Sequence, residues 1–383
     1  MSRQIDIALL GGGHAHVRVL AALARRPVPG VQVTLISRDL SSLYSGMLPG
    51  VVAGLYAPEQ AQIDLVRLAA ATGTRFVHAE AVGIDRTNKR VILAGAPSVA
   101  YDILSIDVGI APALAAIAGA ERAIAVKPIG SFLARFGDLI ARCRRPVGPR
   151  RIAVIGGGAG GVELLLSIRT RIMAETNAAL TFALVTDDEI LATHNRYVRA
   201  AFRRVFAERG IAVHERRRAR AITARGIDLE GGGTIAADAV LIATEAAAPD
   251  WFRETGLALD PHGFLAVGPT LQVTNDPDVF AAGDCAMLIE SPREKAGVYA
   301  VRAGPPLADN LRRRALGEPL AAWRPQRRHL ALISTGERYA VASRGFFKVE
   351  GAWVWMLKDW IDRRWVRQYR DIEPIERRRP QAK

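Results

Sequence analysis

An α/β protein with two parallel-sheet units is predicted by three observations: a strand–glycine turn–helix–strand order that occurs twice, a Gly-Asp turn late in the chain, and a globular composition. The 383 residues are 50% hydrophobic and include 35 glycines, enough chain for two or three domains with their own cores. In the first unit Ile5 to Leu10 reads as a buried strand. It is followed by Gly11-Gly12-Gly13-His14-Ala15-His16, a helical run from Val17 to Arg25 and a second strand from Val31 to Ile36. In the second, the strand Arg151 to Ile155 runs into Gly156-Gly157-Gly158-Ala159-Gly160-Gly161, a helix from Val162 and a strand from Leu180 to Val185. One glycine-rich turn is a weak signal. Two of them, each closing a strand and opening a helix, are a strong one.

The chemistry behind the pattern is that of a Rossmann-like dinucleotide site. Gly11 and Gly156 make the tight turn, Gly13 and Gly158 let the backbone approach a pyrophosphate, and Gly161 brings the helix close to its strand. The helix N-terminus then offers free N–H groups to the phosphates. His16 stands where the first copy should have its third glycine, so its helix is expected to start slightly farther from the strand. The second strand of the first copy ends in Ser37-Arg38-Asp39, placing Ser37 where a ribose-binding carboxylate belongs, with Asp39 able to fold back. The second copy ends in Thr186-Asp187-Asp188-Glu189. Carboxylates there suit the free ribose hydroxyls of NADH and repel the 2′-phosphate of NADPH; a solvated acidic loop is the bland alternative.

The third element is the run from Thr270 to Ala282 into Gly283-Asp284. With it the sequence resembles the flavoprotein superfamily of two dinucleotide-binding domains, including pyridine-nucleotide disulfide reductases, type II NADH dehydrogenases and sulfide:quinone reductases. The resemblance implies non-covalent FAD in the first unit and NAD(P)H, with NADH preferred, in the second. It implies that Asp284 holds the ribityl chain, that Gly283 permits close approach to the pyrophosphate, and that Gly109 fills the usual glycine place after Tyr101 to Val108. It places Glu163 near nicotinamide and flavin, and Pro49 and Lys127 against the flavin. Glu245 departs from the pattern, standing where the second unit should have a glycine. Gly11 to His16, Leu35 to Asp39, Tyr44 to Gly50, Ser105 to Gly109 and Gly304 to Asn310 are similar to flavoproteins found alone or fused to selenide, water dikinase. That makes Ser37 and Arg38 cofactor-binding candidates and hints at selenium or sulfur metabolism. His14 and His16 could bond flavin or substrate, or be structural. The expected division is an FAD domain over 1–112 and 265–320, a connector over 113–145, an NAD(P)H domain over 146–264 and a C-terminal interface segment over 321–383.

Composition narrows the function. The net charge of +14 admits anionic partners, but no nucleic-acid motif accompanies it, so none is expected. Cys143 and Cys285 are far apart and in no metal-ligand spacing, so neither a metal site nor a thiol relay is expected, and a cytoplasmic location follows. In the last segment, Trp353, Met356, Leu357, Trp360, Ile361, Trp365 and Tyr369 form one helical stripe, with Lys358, Asp362, Arg363 and Arg367 elsewhere. Such a stripe over 352–370 suits the inner face of the cell membrane; the alternatives are packing on the flavin domain or a homodimer partner. The expected function is an NAD(P)H dehydrogenase passing electrons through FAD to a quinone. Its rivals are a soluble reductase of sulfur or selenium compounds and a flavin-bound redox sensor with little turnover.

Overall fold

The computed structural model describes residues 4–112, 117–244 and 246–372, so Glu245 lies outside the described residues. The first sheet is built around Ile5–Leu10, which pairs in parallel with Val31–Ser37 on one side and Ile103–Ile106 on the other. Asp276–Ala281 then pairs in parallel with Ile103–Ile106, so a late stretch of chain joins the sheet begun at the N-terminus. Ile7, Leu9, Leu35, Ile36, Leu104, Ile106, Val279 and Phe280 are all buried, as strands covered on both faces require. Helices α1 (His14–Arg25), α2 (Leu48–Val52) and α3 (Leu65–Ala71) belong to this half. Gly304 allows close crossing of α1: a Cβ there would meet the Cβ of Arg18 at 2.6 Å. Asn310, wholly buried, bonds the carbonyls of Thr270 and Ala321, which accounts for the Gly304–Asn310 motif as packing.

The second sheet has five parallel strands in the order Ile124–Ala125, Ala239–Ile242, Arg151–Ile155, Thr181–Val185, Ile211–His214. The stretch expected to be a connector holds a 15-residue helix, α4 (Ile129–Cys143). With α5 (Ala159–Glu175) and α6 (Arg196–Glu208) it completes the second half. An antiparallel pair, Ala111–Pro112 with Ala246–Ala247, ties the two halves where the chain crosses between them.

After α7 (Gly297–Leu316) comes an antiparallel sheet of Ala331–Ser334, Ala340–Arg344 and Phe347–Gly351, then α8 (Ala352–Arg370). The expected single stripe on α8 is corrected here: it divides between two faces. Trp365 and Tyr369 turn inward with Val354 and Val366, while Trp353, Met356, Trp360 and Ile361 are exposed. Lys358 and Asp362, expected on the outer polar face, are among the most buried groups of the helix. The physical reason is that α8 lies across two surfaces, the first half and the last sheet, so its inner face must also meet polar backbone. No helix among the described residues is long and apolar enough to cross a membrane.

Candidate active site

In the first loop Gly11 holds φ +97° and a Cβ on it would strike the carbonyl of Asp107. Gly13 lacks room for a different reason: a Cβ would enter the Asp107 carboxyl group. That carboxylate accepts the backbone N–H groups of Ala15 (2.8 Å) and His16 (3.0 Å) through Oδ2, so it sits on the first turn of α1. Burial pushes its pKa up to about 7, Asp284 adding to the rise and the two amides opposing it. His16 is wholly buried and structural. Its Nδ1 donates to the Gly11 carbonyl at 2.7 Å and Nε2 faces the Ser105 hydroxyl at 2.8 Å, filling the space a third glycine would leave. Ser37 donates to the Asp39 carbonyl at 2.8 Å. Arg38 turns to Asp39 and Glu80, at the rim.

The second loop is open. Gly156 holds φ +128° against Ala243 and Thr244, and a Cβ on Gly161 would strike the Gly156 carbonyl, so the helix sits tight on its strand. Among the described residues nothing lies within 4 Å of where a Cβ on Gly158 would be, and no side chain caps α5. This is room for a diphosphate. The acidic end of the next strand is less negative than its sequence: Arg218 pairs with Asp187 at 3.4 Å, and Glu189 is held by Arg216, Arg199 and Arg203.

Between the loops the two halves and α8 converge. Lys127, from the chain entering the second half, pairs with Asp284 of the Gly283–Cys285 turn at 3.1 Å. A cleft lined by Gly283, Asp284, Lys295, Tyr299 and Trp323 opens beside this turn. Pro49 is buried in α2, which packs on α5, and Gly109 has nothing within 4 Å of where its Cβ would be. Glu163, just past the first turn of α5, accepts the Ser334 N–H at 2.6 Å. Burial raises its pKa to about 7; Asp362 pushes the same way, while Lys358 and the Ser334 bond pull it down. Lys358 donates to the Gly46 carbonyl (2.6 Å) and to Asp362 (2.7 Å). Burial works against its charge, but Asp362 and Glu163 hold its pKa above the ordinary lysine value.

His14, at the start of α1, belongs to an aromatic cluster, its ring 5.3 Å from Tyr44 and 5.2 Å from Trp365, with Tyr44 and Trp365 stacked at 4.3 Å. Ser45 donates its N–H to His14 Nε2 at 3.3 Å, which leaves Nδ1 to carry the proton. Burial, with Lys127, lowers the His14 pKa to about 4 despite Asp284, so the ring is neutral. Its Nδ1 and the Trp365 indole N–H are buried without a protein partner among the described residues. These orphaned donors, the open Gly158 and the cleft at Gly283 fit two large polar cofactors. Sequence reasoning missed Asp107, Lys358, Asp362 and Trp365 as site residues. Asp107 alone had a signal, an acid two places before Gly109 where the second unit has Ala243.

Two strand–glycine loop–helix units, with the buried ionisable groups Glu163, Lys358 and Asp362 beside the second, fit an NAD(P)H oxidoreductase of the flavoprotein class. The chain belongs to the pyridine nucleotide-disulphide oxidoreductase family, which it matches over residues 5–310. Among curated relatives it is similar to the NADH dehydrogenase-like protein YutJ of Bacillus subtilis, 22% identical over 84% of this chain and 86% of that one. It is also similar to the demethylphylloquinone reductase NdbB of Synechocystis, 25% identical over 73% and 71%. The sulfide:quinone oxidoreductase of Aquifex aeolicus shares the fold, with a TM-score of 0.80, 18% identity and coverage of 96% and 92%.

Proposed function

We propose that this chain is an FAD-dependent NAD(P)H dehydrogenase that delivers electrons to a quinone. FAD would be held non-covalently between Gly11–Gly13, Ser37, Gly109 and Gly283–Asp284, and NAD(P)H by Gly156–Gly161. Bound there, FAD supplies hydride acceptance from NAD(P)H and two-electron delivery to the acceptor. Pro49, Lys127 and His14 would border it. NADH is the expected donor, with Asp187 and Asp188 at the ribose end, though Arg216 and Arg218 beside them make the preference over NADPH a modest one.

The observation that carries this reading is the buried Glu163 carboxyl, which feels the charges of Lys358 and Asp362. Reducing a quinone consumes two protons with two electrons, and a carboxyl poised near neutral pH beside a fixed lysine is suited to donate one. Glu163 is the proton donor here; Lys358 and Asp362 orient it and restore its proton. The names of the two curated relatives point the same way. A thiol relay has no support: Cys143 and Cys285 are both buried and unpaired, in separate cores.

Anaerobic addition of NADH should bleach the flavin, and a soluble quinone should restore it catalytically. Bleaching without reoxidation by any quinone would favour the reductase of sulfur compounds. The exposed Trp353, Met356 and Trp360, with Arg364 and Arg367 beside them, suit a peripheral site on an anionic inner membrane face. Replacing Trp353 and Trp360 by Ala should weaken sedimentation with anionic vesicles. Unchanged sedimentation would assign that face to a protein partner such as a second copy.

A further inference from the structure

Three of the amides that open α1 are already taken. Asp107 Oδ2 accepts two of them, from Ala15 and His16, and the Asp107 backbone carbonyl accepts the Gly13 N–H at 3.1 Å. Gly13 and Gly283, the two glycines assigned to a diphosphate, both press on this carboxyl group: a Cβ on either would collide with it. At the matching place in the second unit stands Ala243, since Ile106 and Ile242 occupy equivalent ends of the strands beside Leu10 and Ile155. There no described side chain accepts from the first turn of the helix.

We propose that Asp107 sets how tightly this chain retains FAD: as a carboxylate it repels the cofactor diphosphate at the N-terminal end of α1, and it gives up that charge by taking up a proton when FAD binds. The proposal rests on the assignment of FAD to the first loop. Asp107 is 3% exposed, and the described ion pairs bring no lysine or arginine to it. The charged and titratable groups around it do not offset a second anion. His14 and His16 of α1 are neutral at physiological pH, and burial holds the Cys285 thiol protonated. Asp284 adds negative charge, Lys127 is committed to Asp284, and Lys295 donates to the Ala286 carbonyl. Two anions sharing one buried helix end cannot both stay ionised cheaply, whereas a protonated Asp107 keeps Oδ2 on its amides and offers an O–H donor through Oδ1. Burial already brings Asp107 to about 7, so a small added repulsion near neutral pH completes the protonation. The proton comes from solvent, approaching one per FAD bound at the alkaline end and falling towards none below about 7, so binding weakens as pH rises above that point.

The test titrates the full-length apoprotein with FAD from about pH 6 to about pH 8.5, following flavin fluorescence, and measures proton uptake in weakly buffered solution. The wild-type Kd should rise up to about tenfold per pH unit above about 7, the limit for one linked proton. Asp107→Asn should give a flat profile and bind FAD at least about tenfold more tightly than wild type at the alkaline end. Uptake approaching one proton should occur in wild type and in Glu163→Gln, which removes the other carboxyl of similar pKa, and vanish in Asp107→Asn. A flat wild-type profile without uptake, or weaker FAD binding by Asp107→Asn at every pH, overturns the proposal. If Asp107→Asn does not fold, proton uptake by wild type and Glu163→Gln still decides. Failure of wild type to bind FAD at any pH would instead remove the cofactor assignment on which it rests.

Discussion

The two glycine loops share a backbone plan and differ in what fills it. Residues 11–16 close on protein: the Asp107 carboxylate takes the helix amides, and the His16 ring takes the space and the carbonyl that a glycine would leave. Residues 156–161 meet less among the described residues: Gly157 packs on Thr186 and accepts the Leu191 N–H, Gly161 is tight against Gly156, and Gly158 faces open space. A loop whose amides and voids are satisfied internally gains rigidity and needs its ligand less. A loop left open is organised for a ligand that must come and go, as a reduced nicotinamide does in every turnover.

The contrast can be broken most directly at the second glycine of each loop. Gly158 has φ −69° and ψ 174°, extended backbone open to any residue, so Gly158→Val should fold and keep flavin. It should lower kcat/KM for NADH by about 100-fold or more, roughly 2.7 kcal/mol of lost phosphate contact. Gly13→Val collides with Asp107 and should yield little folded flavoprotein. Equal damage from both substitutions would show that the second loop is not the donor site.

Glu163→Gln should reduce quinone turnover by about 100-fold while slowing flavin bleaching by NADH only a few-fold. Because the raised pKa keeps Glu163 protonated below about 7, wild-type turnover should fall as pH rises through that value, and the variant should lose the inflection. A persisting inflection would move the proton donor elsewhere.

His16→Gly restores the common loop pattern yet should destabilise the protein by about 3 kcal/mol. It leaves buried Ser105 and the Gly11 carbonyl without partners and opens a cavity. Denaturant melts of the two proteins decide this, and an unchanged midpoint would make His16 dispensable packing. The smallest effect is expected at Asp187, whose pairing with Arg218 is largely exposed on both sides, 59% and 67%. Such a pair contributes about 0–1 kcal/mol, so Asp187→Ala should shift the NADH-to-NADPH ratio of kcat/KM by less than about fivefold. A larger shift would restore the acidic reading of that strand end.

Much of the fold was legible because glycine chemistry is local: a turn, a close approach and a helix start are written within six residues. The paired strands, the Gly283–Asp284 turn and the helical period of 352–370 follow from such short patterns. The direction in which α8 faces did not. Its seven apolar positions read as one stripe, but Lys358 donates to Gly46, 312 positions away, and that bond turns the helix so that Trp360 points outward. The arginines beside Asp187 were equally hidden, because Arg218 reaches it only through pairing of the strands ending at Val185 and His214.

By itself the sequence determined that the chain has two dinucleotide folds, where their loops lie and which glycines they need, since backbone sterics at those turns admit little else. The tertiary structure alone decided which loop is open, because Asp107 bonds amides 91 and 92 positions away. It also decided that Glu163, Lys358 and Asp362 form one cluster, joining a helix of the second unit to the last helix of the chain. Charge, burial and pKa belong to that assembled environment: a carboxyl is an ordinary acid until distant segments close over it and remove the water that kept it ionised.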